Sequence, residues 1–203
     1  MHVERTRSGQ MIVGGYAAVF YREGDSGTEY RLLKTLTERI GPNAFKRALS
    51  SGGNIRALWN HESSRLLGST ETGTLKLHTD ARGLHFNILL PDDADGHKVY
   101  SAVERGDLNG ASFGFFPIKT TYSRGANGKP DVALVEDLYL TEVSPVTFPA
   151  YRSTSAYITT QRSLDPNCVR AVFMRMPTDV QQRLLTIERH EEIAERLAIL
   201  AKN

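Results

Sequence analysis

Short apolar segments separated by turn sequences are the feature that most restricts how this chain can fold. The clearest segment is LHFNILL, where the apolar residues alternate with others at Leu84, Phe86, Ile88 and Leu90. Such alternation predicts a β-strand with one buried face. We count roughly six to eight segments of this kind before residue 152, bounded by the glycine- and proline-rich turns that end strands. The pattern predicts a mainly β domain.

Two short helices interrupt the strands. The segment GPNAFKRALSSGG has Pro42 at a favourable first helical position and ends at Gly52 and Gly53. The segment DDADGHKVYSAVERGDL begins with acidic residues and ends at Gly106. Many short strands with few helices predict an α+β, mainly β fold, built as a closed or nearly closed β-barrel.

The character of the chain changes near residue 152. Residues 1–152 form the predicted β-barrel domain, and residues 153–178 read as a polar linker with a short helical segment. Residues 179–203 predict an amphipathic helix, because apolar residues recur at near-helical spacing from Val180 to Leu200. We expect this helix to be an appendage that docks elsewhere or is removed.

Composition excludes several functional classes. The 203 residues carry a net charge of only +2, without a long basic block, so a nucleic-acid interface is not expected. The single cysteine, Cys168, excludes an internal disulfide and a multi-cysteine zinc site. No metal-ligand spacing or phosphate-binding loop occurs, and we expect no cofactor. A polar N-terminus and the absence of a long apolar stretch predict a protein that is neither secreted nor in a membrane.

Ser112 is the candidate nucleophile. It lies in the apolar segment GASFGFF, where residues 112 and 114 should face one side of the strand and residues 111, 113 and 115 the other. Gly114 would leave space beside the hydroxyl. The same pattern also fits a small residue that fills a tight position in a barrel.

His61 and Glu142 are the candidate partners of this serine. His61 ends the apolar segment RALWN, and an imidazole can accept a hydroxyl proton near neutral pH. Glu142 follows Leu138 and Leu140 on one predicted face, so its carboxylate should point inward and orient a histidine. A solvent-exposed His61, or a Glu142 paired with an arginine, fits the same local patterns.

Three stretches together resemble the prohead maturation proteases of tailed bacteriophages: NHESSRLLGSTETGTLKL, GDLNGASFGFFP and LTEVSPVTFPAY. The opening segments GYAAVF and ERIGPNAFKRAL are similar to the same family. The resemblance implies a serine protease with the herpesvirus assemblin-like fold, a β-barrel decorated by helices. It places the family's histidine on His61 and its serine on Ser112. It places the orienting residue on Glu142, with Asp137, Glu136 or a His-Ser dyad as alternatives.

The resemblance also implies a place of action and partners. Such an enzyme works in the host cytoplasm, inside the assembling prohead. It cleaves the scaffold protein, or a scaffold-like segment of the major capsid protein, and itself. The relation to the herpesvirus proteases also implies a possible homodimer. Backbone N–H groups should stabilise the oxyanion, and a loop after Val143 is the expected source.

Two other readings remain at this point. A non-catalytic capsid scaffold or assembly protein could retain the barrel, and replacement of Ser112 would then change nothing in processing. A peptide-binding β-barrel of another class would bind peptides without cleaving them. The joint occurrence of His61, Ser112 and Glu142 in strand contexts favours the protease.

Overall fold

The computed structural model describes residues 1–5, 9–33, 35–126 and 129–151. The predicted linker (153–178) and C-terminal helix (179–203) lie outside these residues. The strands are β1 (His2–Arg5), β2 (Met11–Val19), β3 (Glu29–Leu33), β4 (Leu36–Ile40), β5 (Arg56–Trp59), β6 (Glu62–Ser69), β7 (Leu75–Thr79), β8 (Gly83–Leu89), β9 (Gly110–Ser123) and β10 (Asp131–Val146). The helices are α1 (Lys46–Ser50) and α2 (Ala94–Arg105). The prediction of a mainly β fold with few short helices is confirmed.

The two helices match their sequence signals to different degrees. Helix α2 begins after Asp93, whose carboxylate accepts a hydrogen bond from the Gly96 N–H at 2.8 Å, and it ends at Gly106 with a φ of 82°. Helix α1 begins only at Lys46, because Pro42 and the residues after it form a turn. Neither helix in the described part of the chain has the length and hydropathy needed to cross a bilayer.

The strands form two sheets. One has four strands in the order β1-β2-β8-β7. The other has six strands: five follow the order β3-β4-β10-β5-β6, and the sixth, β9, pairs with β10. The sequence predicted a closed or nearly closed β-barrel, and no closed barrel is found among the described residues. In the described part of the chain, strands β1, β7, β3 and β6 each pair with a single neighbour. The hydrogen-bonded ladders there end at edges instead of closing on themselves.

Aromatic residues anchor β9 in the apolar core. Phe113 is fully buried, and its ring packs edge-on against Phe45 at 5.5 Å and stacks with Phe115 at 5.0 Å between centroids. Full burial of one such side chain stabilises the fold by about 1.5–3 kcal/mol. The predicted alternation is confirmed, because Ala111, Phe113 and Phe115 join the core and Ser112 between them does not. The packing of Phe113 thereby fixes the strand that carries Ser112.

Strand β10 organises the larger sheet. Antiparallel β9 pairs along one of its edges, so the two parallel partners share the other edge. Strand β4 pairs with Asp131–Val135, and β5 pairs with Glu142 and Val143. Because β5 runs parallel to β10, the residues that follow β5 are delivered beside the last residues of β10. The parallel pairing of β5 with β10 therefore sets the position of His61.

Pro145 does not end β10, although proline is unusual inside a strand that has neighbours on both edges. The strand continues to Val146, and Pro145 pairs with Ala111 of β9. A proline has no N–H to donate, but its carbonyl still accepts hydrogen bonds. The Pro145 carbonyl accepts one from the Asn60 N–H at 3.0 Å. The extra length of β10 thus reaches the turn that contains His61.

Candidate active site

His61 lies in a tight turn directly after β5. Asn60 and His61 have φ values of 53° and 63°, between the paired residues Trp59 and Glu62. Two left-handed residues between paired strands are typical of a type I′ hairpin turn. Such conformations in non-glycine residues persist only where surrounding contacts hold them. The structure therefore places His61 at the strand end, as predicted, in a backbone conformation that requires support.

Asn60 ties this turn to the end of β10. Its N–H donates to the Pro145 carbonyl, and its side-chain Oδ1 accepts from the Thr147 N–H at 3.0 Å. Asparagine is one of the few non-glycine residues enriched in the left-handed region. Asn60 thus meets the conformational demand of the turn and also fixes it against the neighbouring strand.

Arg65 fastens the same hairpin to α2. Its guanidinium lies 3.8 Å from the centroid of the Trp59 ring, an arrangement that favours a cation–π interaction. The guanidinium also forms an ion pair with Asp95 of α2 at 3.3 Å and one with Glu62 at 3.7 Å. Glu62, the carboxylate next to His61 in the chain, is therefore directed toward an arginine.

A β-bulge decides which way Glu142 points. Leu140 pairs with Phe115 and Glu142 with Gly114, so Thr141 is an extra residue in β10. An extra residue shifts the alternation of all the side chains that follow it. The prediction that Glu142 shares a face with Leu138 and Leu140 is wrong for this reason. Glu142 lies instead on the face that carries Ser112 and Gly114.

Glu142 and His61 form a direct pair. His61 Nδ1 lies 2.7 Å from Glu142 Oε1, and the Glu142 side chain is 1% exposed. An ionised Glu142 carboxylate accepts hydrogen bonds and does not donate them, so in that state Nδ1 is the donor of this bond. The second carboxylate oxygen accepts a hydrogen bond from the Ser144 hydroxyl at 2.5 Å. These bonds compensate the burial of a charge, which would otherwise be costly.

Ser112 lies on the same face, one strand away. It pairs directly with Ser144 across the β9–β10 ladder. Paired residues of antiparallel strands have Cα atoms about 5 Å apart. Within the part of the chain that the structure describes, no hydrogen bond joins the Ser112 hydroxyl to His61. The strands that carry the two predicted residues therefore flank β10 on opposite edges, and no hydrogen bond between the two side chains is formed in the described structure.

Gly114 makes room for the acid, not for the serine. A Cβ at this position would lie 2.5 Å from Glu142 Oε1 and 2.8 Å from Thr141 Oγ1. The sequence predicted open space beside Ser112, and the Glu142 carboxylate occupies it instead. This is the position where the lack of a side chain matters most for the His61–Glu142 pair.

The other candidate acids are paired elsewhere. Asp137 forms an ion pair with Arg47 at 3.0 Å, and Glu136 forms one with Lys119 at 2.5 Å. The hydrogen bond from Lys119 lowers the pKa of Glu136 below its ordinary value. The structure brings neither acid to His61. Among the described residues, no group of three or more His, Cys, Asp or Glu side chains could hold a metal ion.

A comparison of the sequence with models of protein families covers the region that contains the candidate site. The model of the caudovirus prohead serine proteases matches residues 1–167, which include the whole described region. The chain belongs to this family. The resemblance inferred from its motifs is thereby confirmed, and membership implies a serine protease that acts in phage capsid maturation, inside the assembling capsid. No curated protein matches the sequence of this prohead protease.

Sequence reasoning missed two residues that complete the site. Ser144 is fully buried and contacts both His61 and Glu142, while Asn60 holds the turn. Both carried a signal in the sequence. Ser144 lies two residues after Glu142, which places both on one strand face. Asn60 precedes the histidine at the end of an apolar segment, where a left-handed residue makes a tight turn.

Proposed function

We propose that this prohead protease is a serine endopeptidase that uses Ser112 as nucleophile, His61 as general base and Glu142 as orienting acid. The observation that carries the proposal is the 2.7 Å contact between His61 Nδ1 and the buried Glu142 carboxylate, on the strand face that also bears Ser112. The substrate is the scaffold protein or a scaffold-like segment of the major capsid protein, and the enzyme also cleaves itself.

The tautomer of His61 suits this role. With its hydrogen on Nδ1, held by Glu142, the imidazole presents the lone pair of Nε2 to a hydroxyl. Substrate binding brings Ser112 Oγ to Nε2, as catalytic hydrogen bonds often close only in the bound state. His61 takes the hydroxyl proton, and Ser112 attacks the scissile carbonyl. His61 then gives the proton to the leaving amine, and water releases the acyl group by the same steps.

Burial makes Glu142 effective as the orienting acid. An imidazolium forms during each proton transfer, and a carboxylate in contact with it stabilises that charge. The carboxylate is nearly inaccessible to solvent, so the attraction is weakly screened. The His61 side chain is 21% exposed, so part of it is accessible to a substrate.

The expected oxyanion donors need revision. No loop follows Val143, because β10 continues to Val146. The first N–H after the strand, that of Thr147, is donated to Asn60 Oδ1. The oxyanion in the proposed mechanism is therefore stabilised by donors other than the Thr147 N–H.

A fluorophosphonate probe tests the assignment of the nucleophile. The serine oxygen attacks phosphorus, fluoride leaves, and His61 accepts the hydroxyl proton. We expect intact-mass and peptide spectra to show a single adduct on Ser112 in the native protein and none after denaturation. A native protein that stays unlabelled under conditions that label a reference serine protease would contradict the proposal. An adduct on another serine would reassign the nucleophile.

Gly114→Ala tests the role of the carboxylate position. The added methyl group would push Glu142 Oε1 away from His61 Nδ1, because only 2.5 Å separates it from the new Cβ position. A displacement of about 1 Å in a catalytic group costs about 10²-fold in rate. We expect that loss in kcat for a peptide substrate. Gly53→Ala is the control, because its Cβ would meet only Ser51 Oγ at 3.7 Å. Equal kcat in both variants would argue against the role of Glu142.

A further inference from the structure

Ser144 is a buried serine that contacts two parts of the proposed catalytic pair. It is 0% exposed. Its hydroxyl donates to Glu142 Oε2 at 2.5 Å, and its Oγ accepts from the His61 backbone N–H at 3.3 Å. A hydroxyl has one hydrogen to donate, and here the carboxylate receives it. Ser144 thus links the side chain of the acid to the backbone of the histidine.

The hydrogen bonds of Ser144 hold two groups that need a partner: the His61 backbone and the second carboxylate oxygen of Glu142. His61 has a φ of 63°, which persists only if neighbouring groups hold it. Glu142 has two carboxylate oxygens, and only one of them faces His61. Without the Ser144 hydroxyl, the other oxygen would lose its donor in a buried setting, where an unsatisfied group is costly. The part-buried His61 N–H would lose its acceptor.

The same facts argue against Ser144 as the nucleophile. Ser144 is 0% exposed and Ser112 only 3%, so the direction of the hydroxyl decides between them. The Ser144 hydrogen points to Glu142, not to the imidazole. Ser112 is its partner across the ladder. Within the described residues, the Ser112 hydroxyl forms no hydrogen bond with this carboxylate. The two serines of this pair therefore have different environments, one committed to the acid and one not.

We infer that Ser144 is a positioning residue that holds the Glu142 carboxylate and the His61 turn in one fixed geometry. The inference rests on the proposed function, in which that geometry keeps the His61 hydrogen on Nδ1. Removing the hydroxyl frees the carboxylate to rotate and the turn to relax, so the imidazole loses its single tautomer. We expect kcat to fall by about 10- to 100-fold, the size of effect expected when a hydrogen bond to a buried charged group is lost, with KM little changed.

Two pairs of variants separate the hydroxyl from the packing. Ser144→Thr and Ser144→Val have the same shape and differ only in the hydroxyl. Ser144→Ala is compared with Ser69→Ala, which removes another buried strand hydroxyl, bonded to Thr72 at 3.0 Å. Thermal unfolding is measured for each variant, so that a loss of folding is not mistaken for a loss of positioning.

The tautomer is read directly by NMR. The full chain is labelled with ¹⁵N-histidine, and spectra are recorded at a pH where imidazoles are neutral, with His61 signals identified from a His61→Asn variant. We expect His61 to carry its hydrogen on Nδ1 in the wild type, Ser144→Thr and Ser69→Ala. We expect a mixture of tautomers in Ser144→Ala and Ser144→Val. Cleavage of a peptide substrate is measured on the same samples.

The outcomes distinguish this inference from the proposed function. Unchanged tautomer and unchanged kcat in Ser144→Ala and Ser144→Val would overturn the positioning role and leave the protease intact. A second outcome is a changed tautomer in Ser144→Ala and Ser144→Val, together with no peptide cleavage by any sample, including the wild type. That result would support the positioning role and overturn the proposed function. Loss of cleavage with an unchanged tautomer, and a fluorophosphonate adduct on Ser144, would make Ser144 the nucleophile and overturn both assignments.

Discussion

Replacing Ser112 with alanine is expected to stop all processing of the capsid protein. The alanine variant lacks the oxygen that attacks the scissile carbonyl, while the core contacts of Phe113 that fix β9 are retained. Loss of a catalytic serine lowers kcat by about 10⁶-fold. The chain is co-expressed with the major capsid protein from the same genome, and intact masses of both proteins are measured. Wild type should give defined fragments, and Ser112→Ala should give only full-length chains.

A control on the same strand sharpens the comparison. Ser123→Ala removes an exposed hydroxyl at the far end of β9 and should process normally. The same fragments from Ser112→Ala as from wild type would refute the assignment of the nucleophile. Full-length masses in every sample, with capsids that assemble normally, would favour a non-catalytic assembly protein. The fragments from the wild type also give the cut sites needed for a peptide substrate.

Glu142→Gln is expected to have the second largest effect. The amide keeps the size of the side chain but can present an N–H to His61 Nδ1, which favours the opposite tautomer and places the hydrogen on Nε2. The removal of charge also leaves the imidazolium without its buried partner. The equivalent change in a serine protease triad lowers kcat by about 10⁴-fold. Steady-state kinetics on a peptide spanning a cut site measure the loss, which we expect in kcat and not in KM.

Asp137→Asn and Glu136→Gln are the matched controls for this variant. Both acids were sequence candidates for the orienting role, and both are paired with cations outside the site. We expect kcat within a few-fold of wild type for both. A loss in either control as large as that in Glu142→Gln would move the orienting role to that residue. Full activity in Glu142→Gln would favour a His-Ser dyad.

The local elements follow well from the sequence, because their signals are local. The alternation in LHFNILL predicts the strand that is β8, with Leu84, Phe86 and Ile88 fully buried. The glycine at position 106 marks the end of α2 through its left-handed conformation. Each of these features depends on residues a few positions apart, so a single sequence contains the information.

Whether the strands form a closed barrel or open sheets cannot be predicted from the sequence in the same way. Turn signals and short strands occur both in barrels and in packed sheets, so they do not distinguish a closed ladder from two open ones. The difference lies in which strands pair, and β10 pairs with partners as distant as β4 and β5. Local sequence patterns do not predict hydrogen bonds between segments that are far apart in the chain.

Three residues of the candidate site could be named from the sequence, but their arrangement could not. Residue type, strand context and family motifs pointed to His61, Ser112 and Glu142. The direction of Glu142 depends on one extra residue in β10, and alternation along the strand predicted the wrong face. Strand alternation could place Ser144 on the face of Glu142, but its contact with His61 depends on the packing of the turn after β5 against β10.

By itself, the sequence determined the mainly β character, the face of β9 that enters the core and the membership of the family, because each is expressed in local patterns of residue types. Only the tertiary structure decided that His61 and Glu142 meet, that Gly114 gives room to the acid and that Ser144 binds both. The physical reason is that these contacts depend on a parallel pairing of distant strands and on a bulge at Thr141. Both are set by the balance of packing and hydrogen bonding in the whole domain.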